Sequence, residues 1–82
     1  MTDKNMLLSN LSHIHTTPLG IERIKKNLKS DCDDVVEYCK MKISDDNCAI
    51  YKSGKNFYCE IDNIIITVNS HSFTIITAHI KN

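Results

Sequence analysis

Apolar and polar positions alternate with period two through the second half of the chain and recur at helical intervals through the first half. Phe57-Tyr58-Cys59-Glu60-Ile61 alternates strictly enough to predict a half-buried strand. Ile64-Ile65-Ile66-Thr67-Val68-Asn69 is β-branched at almost every position, which favours strand over helix. Phe73 to Ile80 reads as the last strand and Cys48 to Lys52 as the first. Ser53-Gly54, Asp62-Asn63 and Ser70-His71 fall between them as two-residue turns, built from residue types that tolerate left-handed backbone. Pairing through those turns sets Ile50 opposite Phe57, Cys48 opposite Cys59, Cys59 opposite Ile66 and Phe57 opposite Val68; it also sets Val68 opposite Phe73 and Ile66 opposite Ile75. All of these share one apolar face. The other face collects Tyr51, Tyr58, Glu60, Thr67, Asn69, Ser72 and Thr74, with Ile65 and Ile76 among them. A slip of one residue would exchange the two faces, so agreement across the turns supports this register.

The first half supplies the cover for the apolar face. Met1 to Asn5 is expected to fray. Met6, Leu7, Leu8, Leu11 and Ile14 predict a short first helix ending near His13 to His15. Thr17 and Pro18 mark the next start, a threonine N-cap before a proline in the first turn. Leu19, Ile21, Ile24 and Leu28 form the buried stripe of that helix, with Glu22, Arg23, Lys25, Lys26 and Lys29 outward. Ser30-Asp31 breaks it. Cys32, Val35, Val36, Cys39 and Ile43 then repeat at helical spacing, with Asp31, Asp33 and Asp34 at the end of the helix dipole that favours acids. The fold class that follows is α+β: two to three N-terminal helices on one face of a four-stranded antiparallel meander, as a single domain over 1–82.

Composition narrows the class of function. Lys and Arg number 10 and Asp and Glu number 10, so no global field points to nucleic acid or to a charged membrane surface. No run is long enough to span a bilayer and no secretory leader is evident, which predicts a cytoplasmic protein. Cys32, Cys39, Cys48 and Cys59 all fall at apolar positions, where a reduced thiol packs as a small hydrophobe. Cys48 and Cys59 are the one pair placed to oxidise. With no Cys-x-x-Cys pair and no zinc-finger histidine spacing, a metal site is set aside. The chain is also too short, at 82 residues, to invite a cofactor enzyme, and no cofactor is expected.

Two groups of residues carry candidate chemistry. His15 precedes a helix start, and Arg23 and Lys26 on that helix are placed to hold phosphate. Against this, lysine-rich helices are commonly just solvated. Asn69, His71 and Ser72 cluster at a hairpin tip with Thr74 and Thr67 beside them, a set able to position a phosphodiester and move a proton. Turn chemistry alone also enriches such tips in Asn and Ser. Tyr51 and Tyr58, neighbours on the polar face, suit base stacking or cross-strand packing. His79 is expected on the covered side in a structural role.

His15-Thr16-Thr17-Pro18-Leu19-Gly20-Ile21-Glu22-Arg23-Ile24-Lys25-Lys26-Asn27-Leu28, followed by the strand pair from Ile66 to His79, resembles a small bacterial domain family of unknown function. The last strands and the helices-then-meander order resemble, more loosely, the barnase, colicin and RelE-like toxin ribonucleases. That resemblance implies metal-independent RNA cleavage on the exposed sheet face, with His15 and Arg23 on the helical side and Asn69, Ser72, Thr74 and Thr77 on the sheet.

Two expectations follow. In one, His15 or His71 is the general base of a ribonuclease-like site, and Arg23 and a sheet hydroxyl stabilise the developing charge. In the other, the chain binds a protein, as an inhibitor or antitoxin-like partner or as a homodimer, through its open sheet face or its final edge strand. Neutral charge favours the second, and the resemblance favours the first.

Overall fold

The computed structural model describes residues 3–29 and 34–81. Helices α1 (Asp3–Leu8), α2 (Pro18–Leu28) and α3 (Val35–Ile43) precede strands β1 (Ala49–Ser53), β2 (Asn56–Ile61), β3 (Ile64–Asn69) and β4 (Ile75–Ile80). The strands form one antiparallel sheet in the order β1-β2-β3-β4. The α+β meander expected from the hydrophobic pattern is therefore the observed architecture. Ser30, Asp31, Cys32 and Asp33, where the sequence predicts a helix break and the start of the next helix, lie outside the described residues.

Helices α2 and α3 start where local chemistry supplies acceptors for their unpaired N–H groups. Thr17 Oγ1 accepts from Gly20 N at 3.0 Å, with Pro18 in the first turn, and Asp34 Oδ1 accepts from Glu37 N at 3.1 Å. The first helix is shorter than expected. It ends at Leu8, and a 3₁₀ turn over Leu11–His13 leads into extended backbone at Ile14. Of the stretch expected to fray, Met1 and Thr2 lie outside the described residues, whereas Asp3 and Lys4 bond to β1 and the loop before it. On α2 the buried stripe is Ile24, with Ile21 and Leu28 beside it, while Leu19 is 64 % exposed. Position 19 lies in the first turn of α2.

The core lies between the helical layer and one face of the sheet. Leu7, Ile14, Ile24, Val35, Cys39 and Ile43 meet Phe57, Cys59, Ile66, Val68, Ile75 and Ala78 there, all buried. The apolar face is thus the covered one.

The register agrees with expectation in the central hairpin and departs from it in the outer two. Asp62 and Asn63 both have positive φ, 50° and 66°, and hold Cys59 opposite Ile66 and Phe57 opposite Val68. In the first hairpin the turn is Gly54-Lys55, with Gly54 at φ 62°, so Ile50 pairs with Cys59 and Lys52 with Phe57. The shift is two residues, which preserves the faces. Cys48 consequently sits diagonal to Cys59 rather than opposite it. Both thiols are free and buried, and burial pushes both up from the ordinary thiol range.

The third hairpin has a longer loop. Asn69 N donates to Thr74 O at 2.9 Å, and Phe73 takes left-handed backbone at φ 58°. Val68 then pairs with Ile75, and a bulge admits Ile76 before Thr67 meets Thr77 and Ile66 meets Ala78. Three expectations are corrected by this, the first being that Ile66 faces Ile75. Phe73 is not the strand partner of Val68, and His79 moves to the outer face, opposite Ile65, where it is exposed.

Candidate functional site

The outer face of the sheet is bounded at its β4 end by Asn27 of α2, and its rows follow from the register. One row runs Tyr51, Tyr58, Thr67, Thr77; the next runs Ala49, Glu60, Ile65, His79. Tyr51 and Tyr58 stack with ring centroids 5.5 Å apart at an interplanar angle of 23°. They are neighbours on this face as expected, but part of each ring face is spent on the other. Tyr51 OH donates to Glu60 Oε2 at 3.0 Å, and Lys81 Nζ pairs with Glu60 Oε1 at 3.0 Å. The Lys81 and Tyr51 hydrogen bonds hold the Glu60 carboxyl below the usual carboxylate range, and Glu60 in turn holds the Tyr51 phenol up. An ionised carboxylate therefore stands beside the tyrosine pair.

The period-two pattern leaves Thr67 open to a ligand on this face; in the structure it is only 6 % exposed. It lies in the row between Tyr58 and Thr77, on a central strand, and its neighbours screen it sideways.

At one end of the sheet the loop after β3 gathers four of the candidate residues. Asn69 Oδ1 accepts from His71 N at 2.9 Å and from Ser72 N at 3.0 Å, with Ser72 Oγ at 3.3 Å. Ser72 Oγ lies 2.8 Å from Thr74 Oγ1, which lies 3.1 Å from His15 Nε2. His15 Nδ1 is 2.8 Å from the His13 carbonyl oxygen. That oxygen only accepts, so Nδ1 carries the proton. In the neutral ring Nε2 is then an acceptor, Thr74 donates to it, and the single Ser72 proton goes to Thr74 at 2.8 Å in preference to Asn69 Oδ1 at 3.3 Å. His15 reaches this position because its segment is extended, with Ile14 turned into the core and His15 turned out. A single parallel bridge locks it: His15 N donates to Phe73 O at 3.2 Å and Ile75 N donates to His15 O at 2.7 Å. An imidazole oriented by a carbonyl and aimed at a hydroxyl is the arrangement a general base requires.

The remaining candidates stand apart from that chain. The His71 ring is exposed, and only its backbone N–H joins the Asn69 cap. Arg23 and Lys26 lie on the exposed side of α2, with no described hydrogen bond or ion pair to the tip.

Sequence reasoning passes over other residues that shape the site. Thr16 Oγ1 donates to Ile75 O at 3.0 Å, and a Cβ on Gly20 would collide with Thr16 Oγ1, so glycine lets the first turn of α2 close on this segment. Asn27 Nδ2 donates to Thr77 Oγ1 at 3.3 Å, tying α2 to the β4 end of the tyrosine row. A Thr-Thr-Pro start hints at the first of these; nothing in the chain order hints at the second.

Shallow hollows lie elsewhere among the described residues. One, of about 300 Å³, is lined by Asn47, Glu60, Asp62, Asn63 and Lys81 among others; another, of about 400 Å³, is lined by Asn27, Lys29, His79 and Ile80. Neither includes His15. Among the described residues no group of three or more His, Cys, Asp or Glu side chains is placed to hold a metal ion, and no helix is long and apolar enough to cross a membrane.

The family model described as "protein of unknown function (DUF3781)" matches residues 8–79. The chain belongs to this family. The DUF3781 match takes in α2, α3 and the whole sheet save its last residue, Ile80, and leaves Asp3 to Leu7 of α1 outside it. The expected membership of a domain family of unknown function is thereby met. Comparisons with curated proteins and with solved structures give no match, so the ribonuclease resemblance gains no support from them.

Proposed function

We propose that this DUF3781 domain is a protein-binding module that works through the open face of its sheet. The observation that carries this reading is the stacked pair Tyr51 and Tyr58, which no described element covers, with Ile65 on the same face and Ile76 43 % exposed at the bulge. Aromatic side chains of this kind supply large contact area at little entropic cost and are enriched where proteins meet. Ionised Glu60 beside them repels phosphate, and the chain as a whole has a formal net charge of zero. Both features favour a protein partner over RNA. The free buried thiols fit a reducing, cytoplasmic setting.

The test is affinity capture with in-cell cross-linking, comparing the wild type with Tyr51→Ser/Tyr58→Ser. One stoichiometric protein partner, cross-linked to the outer face and lost in the variant, is the expected result. Capture that is equal for both proteins, or cross-links confined to the helical layer, would remove the reading.

A second reading rests on the His15 chain. Here His15 Nε2 takes the proton of a ribose 2′-hydroxyl, whose oxygen attacks the adjacent phosphorus. The 5′-oxygen leaves with a proton taken from solvent water, and a 2′,3′-cyclic phosphate remains. The Thr74 or Ser72 hydroxyl stabilises the charge on the phosphoryl oxygens, while Arg23, apart from the tip on α2, is left outside this step. Purified protein incubated with total RNA in a chelator decides it: cleavage that disappears in His15→Ala and falls in Asn69→Ala supports this reading, and intact RNA ends it.

A further inference from the structure

The two edges of the sheet are closed by different means. At the start of β4 the edge is met by backbone, through the His15 bridge to Phe73 and Ile75. At β1 it is made by side chains. The first hairpin closes on the pair Ser53 and Asn56, so residues 49, 51 and 53 turn their backbone groups toward β2, and Ile50 and Lys52 turn theirs outward. The outward Lys52 N–H donates to Asp3 Oδ2 at 3.1 Å. Lys4 Nζ donates to Cys48 O and to Asp46 O, both at 3.1 Å.

This guard is weakly built. It consists of two charged side chains on a helix of 6 residues, held down by buried Leu7. A helix that short has little stability of its own, and exposed charged contacts contribute little each. Asp3 and Lys4 also lie outside the stretch that defines the family, residues 8–79, whereas the strand they guard lies inside it. An unguarded edge strand is a template for another strand.

We propose that α1 is a displaceable guard over the β1 edge, and that the strand it protects pairs antiparallel with β1 of a second copy. Three features favour a second copy over an unrelated strand. About a two-fold axis at Tyr51, Ile50 of one chain falls opposite Lys52 of the other, so each outward backbone pair finds its match and the two Lys52 side chains do not oppose each other. The same register sets Tyr51 beside its symmetry mate and extends the existing stack into one row of four tyrosines. Tyr51, 45 % exposed, is the open end of that stack now. With a formal net charge of zero, two copies do not repel. This inference goes beyond binding through the open face, and it uses the edge, not the face.

The experiment compares the full chain with Asp3→Ala/Lys4→Ala, which keeps Leu7, by sedimentation equilibrium and by amide exchange at Lys52. The wild type should be monomeric with a protected Lys52 amide. Self-association of the double variant should tighten about tenfold, the scale expected when the three charged contacts of Asp3 and Lys4 are removed together. Adding Lys52→Pro to that variant removes the outward N–H and should restore the monomer. The proposal is overturned by a double variant that stays monomeric with an unprotected Lys52 amide. Unchanged Lys52 protection, a dimer that survives Lys52→Pro, a wild type already paired through β1, or loss of cooperative unfolding in the double variant would each overturn it too.

Discussion

Replacing Thr74 with valine removes one hydroxyl from the middle of the chain that joins the β3–β4 loop to His15, and keeps the β-branched shape. Thr74 Oγ1 lies 3.1 Å from His15 Nε2 and 2.8 Å from Ser72 Oγ, so the substitution deletes one donor and one acceptor. Each such bond contributes roughly 0.5–1.5 kcal/mol net, at the low end where water replaces the lost partner. His15 and Ser72 are exposed and regain water, so the sum should be about 1 kcal/mol, or roughly 4–8 °C in Tm for a domain of this size. Urea unfolding with an unchanged slope gives the stability. Long-range proton–nitrogen correlation of the His15 ring gives the tautomer. In the wild type with His15 neutral, the proton should sit on Nδ1, held by the His13 carbonyl 2.8 Å away. In Thr74→Val the same tautomer should persist, because that carbonyl is untouched, while Nε2 shifts as it exchanges a threonine donor for water. A neutral ring protonated on Nε2 in the wild type would refute the donor order from Ser72 through Thr74 to His15, and with it the placement of His15 as a base facing Thr74.

Three further outcomes test the packing and the charges. Ile66→Ala, fully buried at the centre of β3, should cost about 2–5 kcal/mol, while Ile65→Ala, one residue away on the outer face, should cost about 1 kcal/mol or less in the same urea assay. Glu60→Gln should remove a small acid-sensitive contribution. The folded Glu60 carboxyl is held below its usual range by Lys81 and Tyr51, so its stabilisation is present above the unfolded pKa and fades as pH falls through the depressed folded value. The difference in Tm between wild type and Glu60→Gln should therefore be largest near neutrality and shrink toward strongly acidic pH; a difference that grows on acidification would be the wrong sign. Thr17→Ala should cost about 1 kcal/mol by leaving the Gly20 N–H without its cap, read as a lower urea midpoint.

The two faces of the sheet are legible in the sequence because strand periodicity constrains every residue at once. Central pairing is legible for a second reason: Asp62-Asn63 is a turn in which both residues accept left-handed backbone. The outer hairpins are harder to read. Ser53-Gly54 and Gly54-Lys55 are both acceptable turns around one glycine, and they differ by two residues in pairing without moving a side chain across the sheet. Nothing in Ser70 to Thr74 announces that Phe73 takes φ 58° or that Ile76 enters a bulge, since both arise from tertiary packing of the Ile75 and Ala78 side chains into the core. That is why periodicity alone puts His79 on the wrong face.

The candidate site is legible in part. Asn69, Ser72 and Thr74 announce themselves as a polar tip, and His15 as a histidine before a capped helix. That His15 meets Thr74 depends on one parallel bridge across 59 positions, a long-range pairing with no local signal. The guard over β1 is invisible for the same reason: Asp3 and Lys4 read as frayed terminus until the strand edge lies beside them.

The division between a covered apolar face and an open aromatic one supports both the fold and the function proposed for it. Solvent relaxation of isoleucine methyl signals by a soluble paramagnetic chelate measures that division in a single experiment. Ile65 and Ile76 should broaden strongly, while Ile24, Ile43, Ile66 and Ile75 should stay sharp. Ile66 broadening as much as Ile65 would contradict a covered apolar face.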